Sequence, residues 1–218
     1  MSYDAIYARA KACGLVVMGA LHPDKVRAKG VSGGTLFLLG TGPLFWPIFQ
    51  RGAEAQDGAA DPIDRWSVRV IGAMAEAVGA RAILPFGGPP YAPFIDWALK
   101  SGRAFQSPTG MLVHDQAGLM ISYRGALHVE KILSFPRPHG NSPCDICPER
   151  PCTASCPVGA LSAGQAYDVA RCHTFLDTTP GQDCMTSGCA VRRACPISQS
   201  FKRDPAQSAQ HMKAFHPI

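Results

Sequence analysis

Cysteine carries the most readable chemistry in this chain. Eight of its nine cysteines lie between Cys144 and Cys195. Four of them crowd into Cys144-Asp-Ile-Cys147-Pro-Glu-Arg-Pro-Cys152-Thr-Ala-Ser-Cys156-Pro157, and Cys172, Cys184, Cys189 and Cys195-Pro196 follow. Thiolates packed this densely repel one another unless a metal takes up their charge. Two four-iron clusters need eight thiolates, the number this stretch supplies.

The spacing narrows the metal further. Bacterial two-cluster ferredoxins use C-x2-C-x2-C-x3-C-P, the fourth cysteine crossing to the other cluster. Here the first run is C-x2-C-x4-C-x3-C-P, the same plan with a two-residue insertion, and the second is the looser Cys184-x4-Cys189-x5-Cys195-Pro with Cys172 upstream. By the crossing rule, Cys144, Cys147 and Cys152 take Cys195, and Cys156 joins Cys172, Cys184 and Cys189. Two alternatives stand beside this reading. Four-cysteine zinc sites usually set two short C-x2-C knuckles well apart, unlike one compact run with Cys-Pro endings. A disulfide framework belongs to exported chains, and the apolar patch Gly14–Leu21 is short for a signal segment. Cys13, far from the other eight, reads as a small core residue.

The formal charge of +5 invites a nucleic-acid reading, but it counts the cysteines as neutral. An oxidised four-iron cluster with four thiolates carries about −2, so two of them bring the chain to about +1. Arg192, Arg193, Lys202 and Arg203 remain as a local basic patch, expected to be a solvated face or a balance for cluster charge. No apolar run approaches the ~20 residues of a membrane span. The chain is expected to be cytoplasmic, without nucleic-acid or membrane partners, and its basic tail and aromatic loop permit a homodimer.

The elements that must position these thiols lie mostly before them. Tyr3–Ala12 reads as an amphipathic helix and Leu15–Met18 as a buried strand. Thr35–Gly40 is a continuous apolar run and reads as a central strand. Arg51–Asp61 is expected to be an exposed loop. Pro62–Val78 places Ile63, Trp66, Val70, Ile71, Met74 and Val78 on one helical face, with Asp61 as cap. Arg81–Phe86 reads as a strand and Ala92–Lys100 as a helix with Phe94, Ile95, Ala98 and Leu99 inward. Met111–His114 and Leu119–Tyr123 read as a hairpin closed by Asp115–Gly118, with a further strand at Ala126–Val129. The proline-rich Ser134–Pro143 reads as a linker, which divides the chain into domains at 1–138 and 139–218. There is no G-x-G-x-x-G fingerprint and no P-loop. Gly87-Gly88-Pro89-Pro90 and Ser107-Pro108-Thr109-Gly110 are ordinary turns or backbone cradles for a ligand.

Cys-x2-Cys…Cys-x3-Cys-Pro-Val-Gly-Ala160, Ala170-Arg171-Cys172-His173 and Gly188-Cys189…Cys195-Pro196 resemble the two-cluster module of epoxyqueuosine reductases and corrinoid-dependent reductive dehalogenases. Met111–Ala126, and loosely Thr35–Trp46 with Asp61–Asp64, are similar to the methylmalonic-aciduria type C cobalamin-processing protein. These resemblances imply an α+β chain: a flavin-reductase-like (nitroreductase-derived) α/β domain followed by a small ferredoxin-like two-cluster domain. The chain departs from the reductases at their acidic proton donor and Gly-Leu-Gly-x-x-Gly-Lys-Asn segment, where Phe86-Gly87-Gly88 and Ser101–Phe105 stand. Their helical-repeat domain is not found after Cys195, so reduction of a modified tRNA base is not expected.

The function so implied is an iron–sulfur redox protein, an oxidoreductase of cobalamin-processing or corrinoid-reducing type. It would pass single electrons to a corrinoid, most readily cobalamin, held by the N-terminal domain. Phe105 and Tyr123 would pack on the macrocycle and Arg124 would hold an amide or phosphate of its tail. His114 would be an axial ligand or proton donor, and Ser107 and Gly110 would border the cleft. The alternatives are a plain ferredoxin-type carrier docking on a partner enzyme, or a scaffold whose clusters only hold the fold together.

Overall fold

The computed structural model describes residues 1–138 and 140–217. They form two compact units: Met1–Ala104 with Ser122–Gly140, and Phe105–Ile121 with Asn141–Ile218. His139, the first residue of the expected second domain, lies outside the described residues. Phe105–Ile121, read from sequence as part of the N-terminal domain, packs with the cysteine-rich segment.

The first unit begins with helix α1 (Tyr3–Ala12), capped by the Ser2 hydroxyl. Strands β1 (Leu15–Leu21) and β2 (Thr35–Thr41) follow, with the short helix α2 (Pro23–Val26) between them. Helices α3 (Phe45–Phe49) and α4 (Pro62–Val78), strand β3 (Arg81–Ile83) and helix α5 (Phe94–Lys100) come next. After the excursion to the second unit the chain returns as a long strand, Tyr123–Val129, the sixth in chain order. It pairs antiparallel with both β2 and β3, giving a four-stranded sheet that runs β1, β2, Tyr123–Val129, β3. All seven residues of β2 are buried, as an uninterrupted apolar run inside a sheet demands. The α4 face buries Ile63, Trp66, Ile71, Met74 and Val78 against the sheet, and Gly79 in the left-handed region ends the helix.

Four local expectations need correction. Asp61 precedes α4 but makes no side-chain cap, because its φ of +50° departs from the extended geometry a capping carboxylate needs. The strand after α4 stops at Ile83. On α5 the buried positions are Phe94, Trp97 and Ala98, while Ile95 and Leu99 are 66% and 44% exposed. Trp97 Nε1 donates to the Lys29 carbonyl at 2.7 Å, which fixes that face inward. Gly19 of β1 admits the close approach of Ser101, since a Cβ there would lie 2.7 Å from the Ser101 side chain. The Arg51–Asp61 loop also carries a 3-10 turn at Ala53–Ala55 and buries Glu54. Arg69 Nε and Nη2 bind the Glu54 carboxylate at 2.5 and 2.9 Å.

The second unit starts from a small hairpin of β4 (Ala104–Gln106) and β5 (Leu112–His114). Its turn is Ser107–Met111: Gly110 N–H donates to Ser107 O, Ser107 N–H to Met111 O, and Gly110 has φ +81°, the bulged type that favours glycine. The expected pairing of Met111–His114 with Leu119–Tyr123 shrinks to one bridge, His114 with Gly118. Tyr123 instead opens the strand of the first unit that we label β6 (Tyr123–Val129). The rest of the second unit is short helices: α6 (Val169–Leu176), α7 (Gln182–Ser187), α8 (Ala190–Ala194), α9 (Pro196–Phe201) and α10 (Pro205–Phe215). Among the described residues no helix is long and apolar enough to cross a membrane.

Candidate metal centre

The eight clustered cysteines all belong to the second unit, and prolines and helix ends hold them. Cys144 and Cys147 share a tight turn in which Cys147 N–H donates to Cys144 O. Cys152 sits in the 3-10 turn Pro151–Thr153. Cys172 lies on α6, which Asp168 caps by accepting from Arg171 N–H at 2.9 Å. Cys184 lies on α7, Cys189 at the start of α8, and Cys195 between α8 and α9. Pro196 opens α9 where no amide hydrogen is needed. All nine cysteines are free thiols.

Their mutual electrostatics sort them into two groups of four. Burial pushes the Cys152 thiol up, and Cys144, Cys195 and Cys147 push it further. Burial likewise raises Cys144, against a Ser142 side-chain hydrogen bond that lowers it, and Cys195 and Cys147 again raise it. In the other group burial raises Cys172, countered by a hydrogen bond with Tyr167, and Cys189, Cys156 and Cys184 push it up. Cys184 is raised by burial first, relieved by the Ala190 backbone N–H, and raised again by Cys189.

Cys144, Cys147, Cys152 and Cys195 line a cavity of about 380 Å³ together with apolar Val113, Leu119 and Ile197. Gly118 borders this group. With φ +56° it passes so close that a Cβ would lie 3.0 Å from Cys195 Sγ and 2.5 Å from Ser198 N. The Ser198 hydroxyl accepts from Leu119 N–H at 2.9 Å, which ties the hairpin segment to α9. Cys172 and Cys184 pack instead with Leu176, Met185, Phe175 and Met212.

Thiols buried together in apolar surroundings are costly to ionise alone, and a multiply charged iron core reverses that cost. The donor set therefore fits a four-iron cluster at each group. Among the described residues no three His, Cys, Asp or Glu side chains converge on a point where a single metal ion could sit. A four-iron cluster spreads its ligands over the corners of a cage and needs no such convergence.

The remaining candidates fall in both units. Phe105 is half-buried and packs in the same cluster as Cys144, Cys152 and Cys195. Ser107 is buried, its hydroxyl 3.1 Å from that of Thr109, and Gly110 belongs to the hairpin turn. His114, read as an axial ligand or proton donor, is 1% exposed. Its Nδ1 lies 3.1 and 3.2 Å from the backbone N–H groups of Gln116 and Ala117 and 3.1 Å from Asp115 Oδ1, so the ring organises its own turn. Tyr123 and Arg124 lie in the first unit. The Tyr123 ring is 6.2 Å from that of Phe94. Arg124 donates from Nε to Ser67 Oγ at 3.1 Å, pairs with Asp64, and lies 5.4 Å from the Phe86 ring centroid. Arg192 and Arg193 are not a solvated face. Arg192 is half-buried and donates to the Leu119 carbonyl, and Arg193 donates to Gly188 O and pairs with Asp183. Tyr167 was invisible to motif reading, because a single aromatic five residues before Cys172 belongs to no pattern.

No protein-family model matches the chain, and no curated protein matches it. Among solved structures, the crystal structure of a selenomethionine-labelled epoxyqueuosine reductase aligns with a TM-score of 0.52 over 94% of this chain and 70% of its own, at 13% identity. A likeness at that identity is one of fold: the chain is a mixed α+β protein with small antiparallel sheets, similar in architecture to that reductase.

Proposed function

We propose that the second unit is a two-cluster electron-transfer module, with one [4Fe–4S] cluster on Cys144, Cys147, Cys152 and Cys195 and the other on Cys156, Cys172, Cys184 and Cys189. The observation that carries this reading is the sorting of eight thiols into two groups of four, in which burial and neighbouring thiols oppose ionisation of Cys144, Cys152, Cys172 and Cys184 without metal. A four-iron cluster supplies one-electron uptake and release, at a potential set by the hydrogen bonds and charges around its sulfurs. The chain's own residues do the rest. Val113, Leu119 and Ile197 give the first group apolar lining, and Ser142, Tyr167 and Ala190 favour the thiolate forms of Cys144, Cys172 and Cys184.

As the class of acceptor we keep a corrinoid, on the sequence resemblance, with the first unit as its holder. Of the residues expected to touch it, Arg124 already holds Ser67 through Nε and Asp64 through Nη2.

Anaerobically prepared protein should contain about eight irons and eight acid-labile sulfides per chain. Stoichiometric zinc without sulfide would overturn the cluster assignment. Titration with hydroxocobalamin under a reductant should shift the corrin spectrum. Full iron content without any shift at micromolar protein favours the plain electron carrier, and clusters that cannot be reduced favour the scaffold.

A further inference from the structure

We infer that the exposed side of α5, together with the loop that follows α2, is a docking surface for an acidic protein. This goes beyond the proposed electron transfer and does not depend on the clusters. The first unit holds 14 Lys and Arg against 9 Asp and Glu, and the second holds 7 of each. The whole formal excess of +5 therefore belongs to the first unit, which carries none of the clustered cysteines.

Three of those cations, Lys25, Arg27 and Lys29, follow one another at every second residue, and all are exposed. The loop that carries them is pinned to α5 through its backbone. Lys100 Nζ donates to Arg27 O at 2.6 Å and Trp97 Nε1 to Lys29 O at 2.7 Å, while Lys29 N–H donates to Asp96 Oδ2 at 3.1 Å. Arg27 is held in the left-handed region at φ +52°, which glycine adopts at less cost. Both nearby acids are engaged. Asp96 pairs with Lys100 at 3.0 Å, and Asp24 accepts from Gly33 N–H at 2.9 Å. Beside these cations Ile95 and Leu99, one helical turn apart on α5, are 66% and 44% exposed.

An apolar strip bordered by fixed cations selects its occupant. A second copy docked face to face would set like charges against one another. A nucleic-acid backbone gains from the cations but offers little to two aliphatic side chains. A helix lying in a membrane surface turns its tryptophan towards lipid, whereas Trp97 is buried. An acidic protein with an apolar spot in its surface uses both parts, as an apolar centre and a charged rim.

The test is fluorescence anisotropy of the full chain with a labelled acidic helical peptide, rich in glutamate and carrying leucines one turn apart. Binding at low ionic strength should weaken as salt rises. Lys25→Glu, Arg27→Glu and Lys29→Glu together should weaken it by about tenfold or more. Arg9→Glu, Lys11→Glu and Arg81→Glu, exposed cations outside this loop, make the same change in net charge and should leave most of it. Ile95→Ser should weaken binding of the peptide but not of polyglutamate. Tryptophan-detected unfolding checks that each variant folds, and if the first triple does not, Ile95→Ser and Lys29→Gln decide. Absence of binding, or equal loss in both triples, overturns the inference. So does tighter binding of single-stranded RNA or of phosphatidylserine vesicles, or a wild-type dimer in sedimentation that Ile95→Ser dissolves. All variants should keep their iron and sulfide, so failure to dock defeats this inference alone, whereas wild-type protein lacking iron and sulfide defeats only the proposed function.

Discussion

In the first unit the fully buried Phe37, Phe45, Leu39 and Ile71 pack in one continuous cluster. In the second unit the buried positions include Cys152, Cys184 and Cys195, set in two smaller clusters beside a few aliphatic residues. The first arrangement is held by apolar burial along a four-stranded sheet, which needs nothing from outside the chain. The second joins helices of five to eleven residues, too short to persist alone in water, around thiols that repel when ionised. The difference teaches that a metal would do for the second unit what leucine and phenylalanine do for the first.

Removing the metal is the strongest way to break this comparison. Chelation of the holoprotein under reducing conditions should abolish hydrogen-exchange protection across α6 to α9 and leave β1, β2 and β6 protected. Structural metal sites contribute on the order of 10 kcal/mol to folding. Trp46, Trp66 and Trp97 all belong to the first unit, so the tryptophan-detected unfolding midpoint should stay in place. Loss of both units together would show that the first depends on the second.

Cys195→Ala asks for half of that effect. Iron should fall to about four per chain, whereas Cys13→Ser, which alters a half-buried residue packed in the first core, should leave it unchanged. Trp66→Ala reverses the comparison. It should cost the first unit about 3–5 kcal/mol in urea unfolding with no change in iron, because Trp66 packs edge-on against Phe45 and Phe49 within that core.

Gly118→Ala is a smaller and more local test. Its left-handed backbone alone should cost about 1–2 kcal/mol, and the added methyl would press on Cys195 Sγ, so the first cluster should be lost on dilution before the second. The smallest effect is an acid one in the first unit. The Arg69 side-chain hydrogen bond, working against burial, holds the Glu54 carboxyl down to about 2, while an unfolded glutamate titrates near 4.3. A carboxyl lowered by folding stabilises fully above its unfolded value and loses that contribution as pH falls towards the folded one. Tryptophan-detected stability should therefore drop between about pH 4.5 and 2, and Glu54→Gln should flatten that drop by about 1 kcal/mol, since Arg69 is more than half exposed.

Features built from neighbouring residues were legible in the sequence. The α4 face repeats at helical spacing, β2 is one unbroken apolar run, and the crowding of Cys144–Cys156 is visible in a single window. Features set by distant partners were not. The inward face of α5 is decided by a hydrogen bond from Trp97 to a carbonyl 68 positions away. The β4–β5 pairing joins three-residue strands too short to carry a period. Burial of His114 goes with the turn amides that its ring meets, which composition does not encode.

The bond between Leu119 and Ser198 also has a consequence in time. During synthesis Leu119 leaves the ribosome 79 residues ahead of its partner, roughly 4–16 s at ordinary elongation rates. In that interval β6 emerges and can complete the sheet with β2 and β3, so the first unit can close while Phe105–Ile121 still waits. The hairpin must therefore stay soluble as an orphan until Cys195 arrives. A cluster on Cys144, Cys147, Cys152 and Cys195 would thus be enclosed only after Cys195 and Ser198 have emerged.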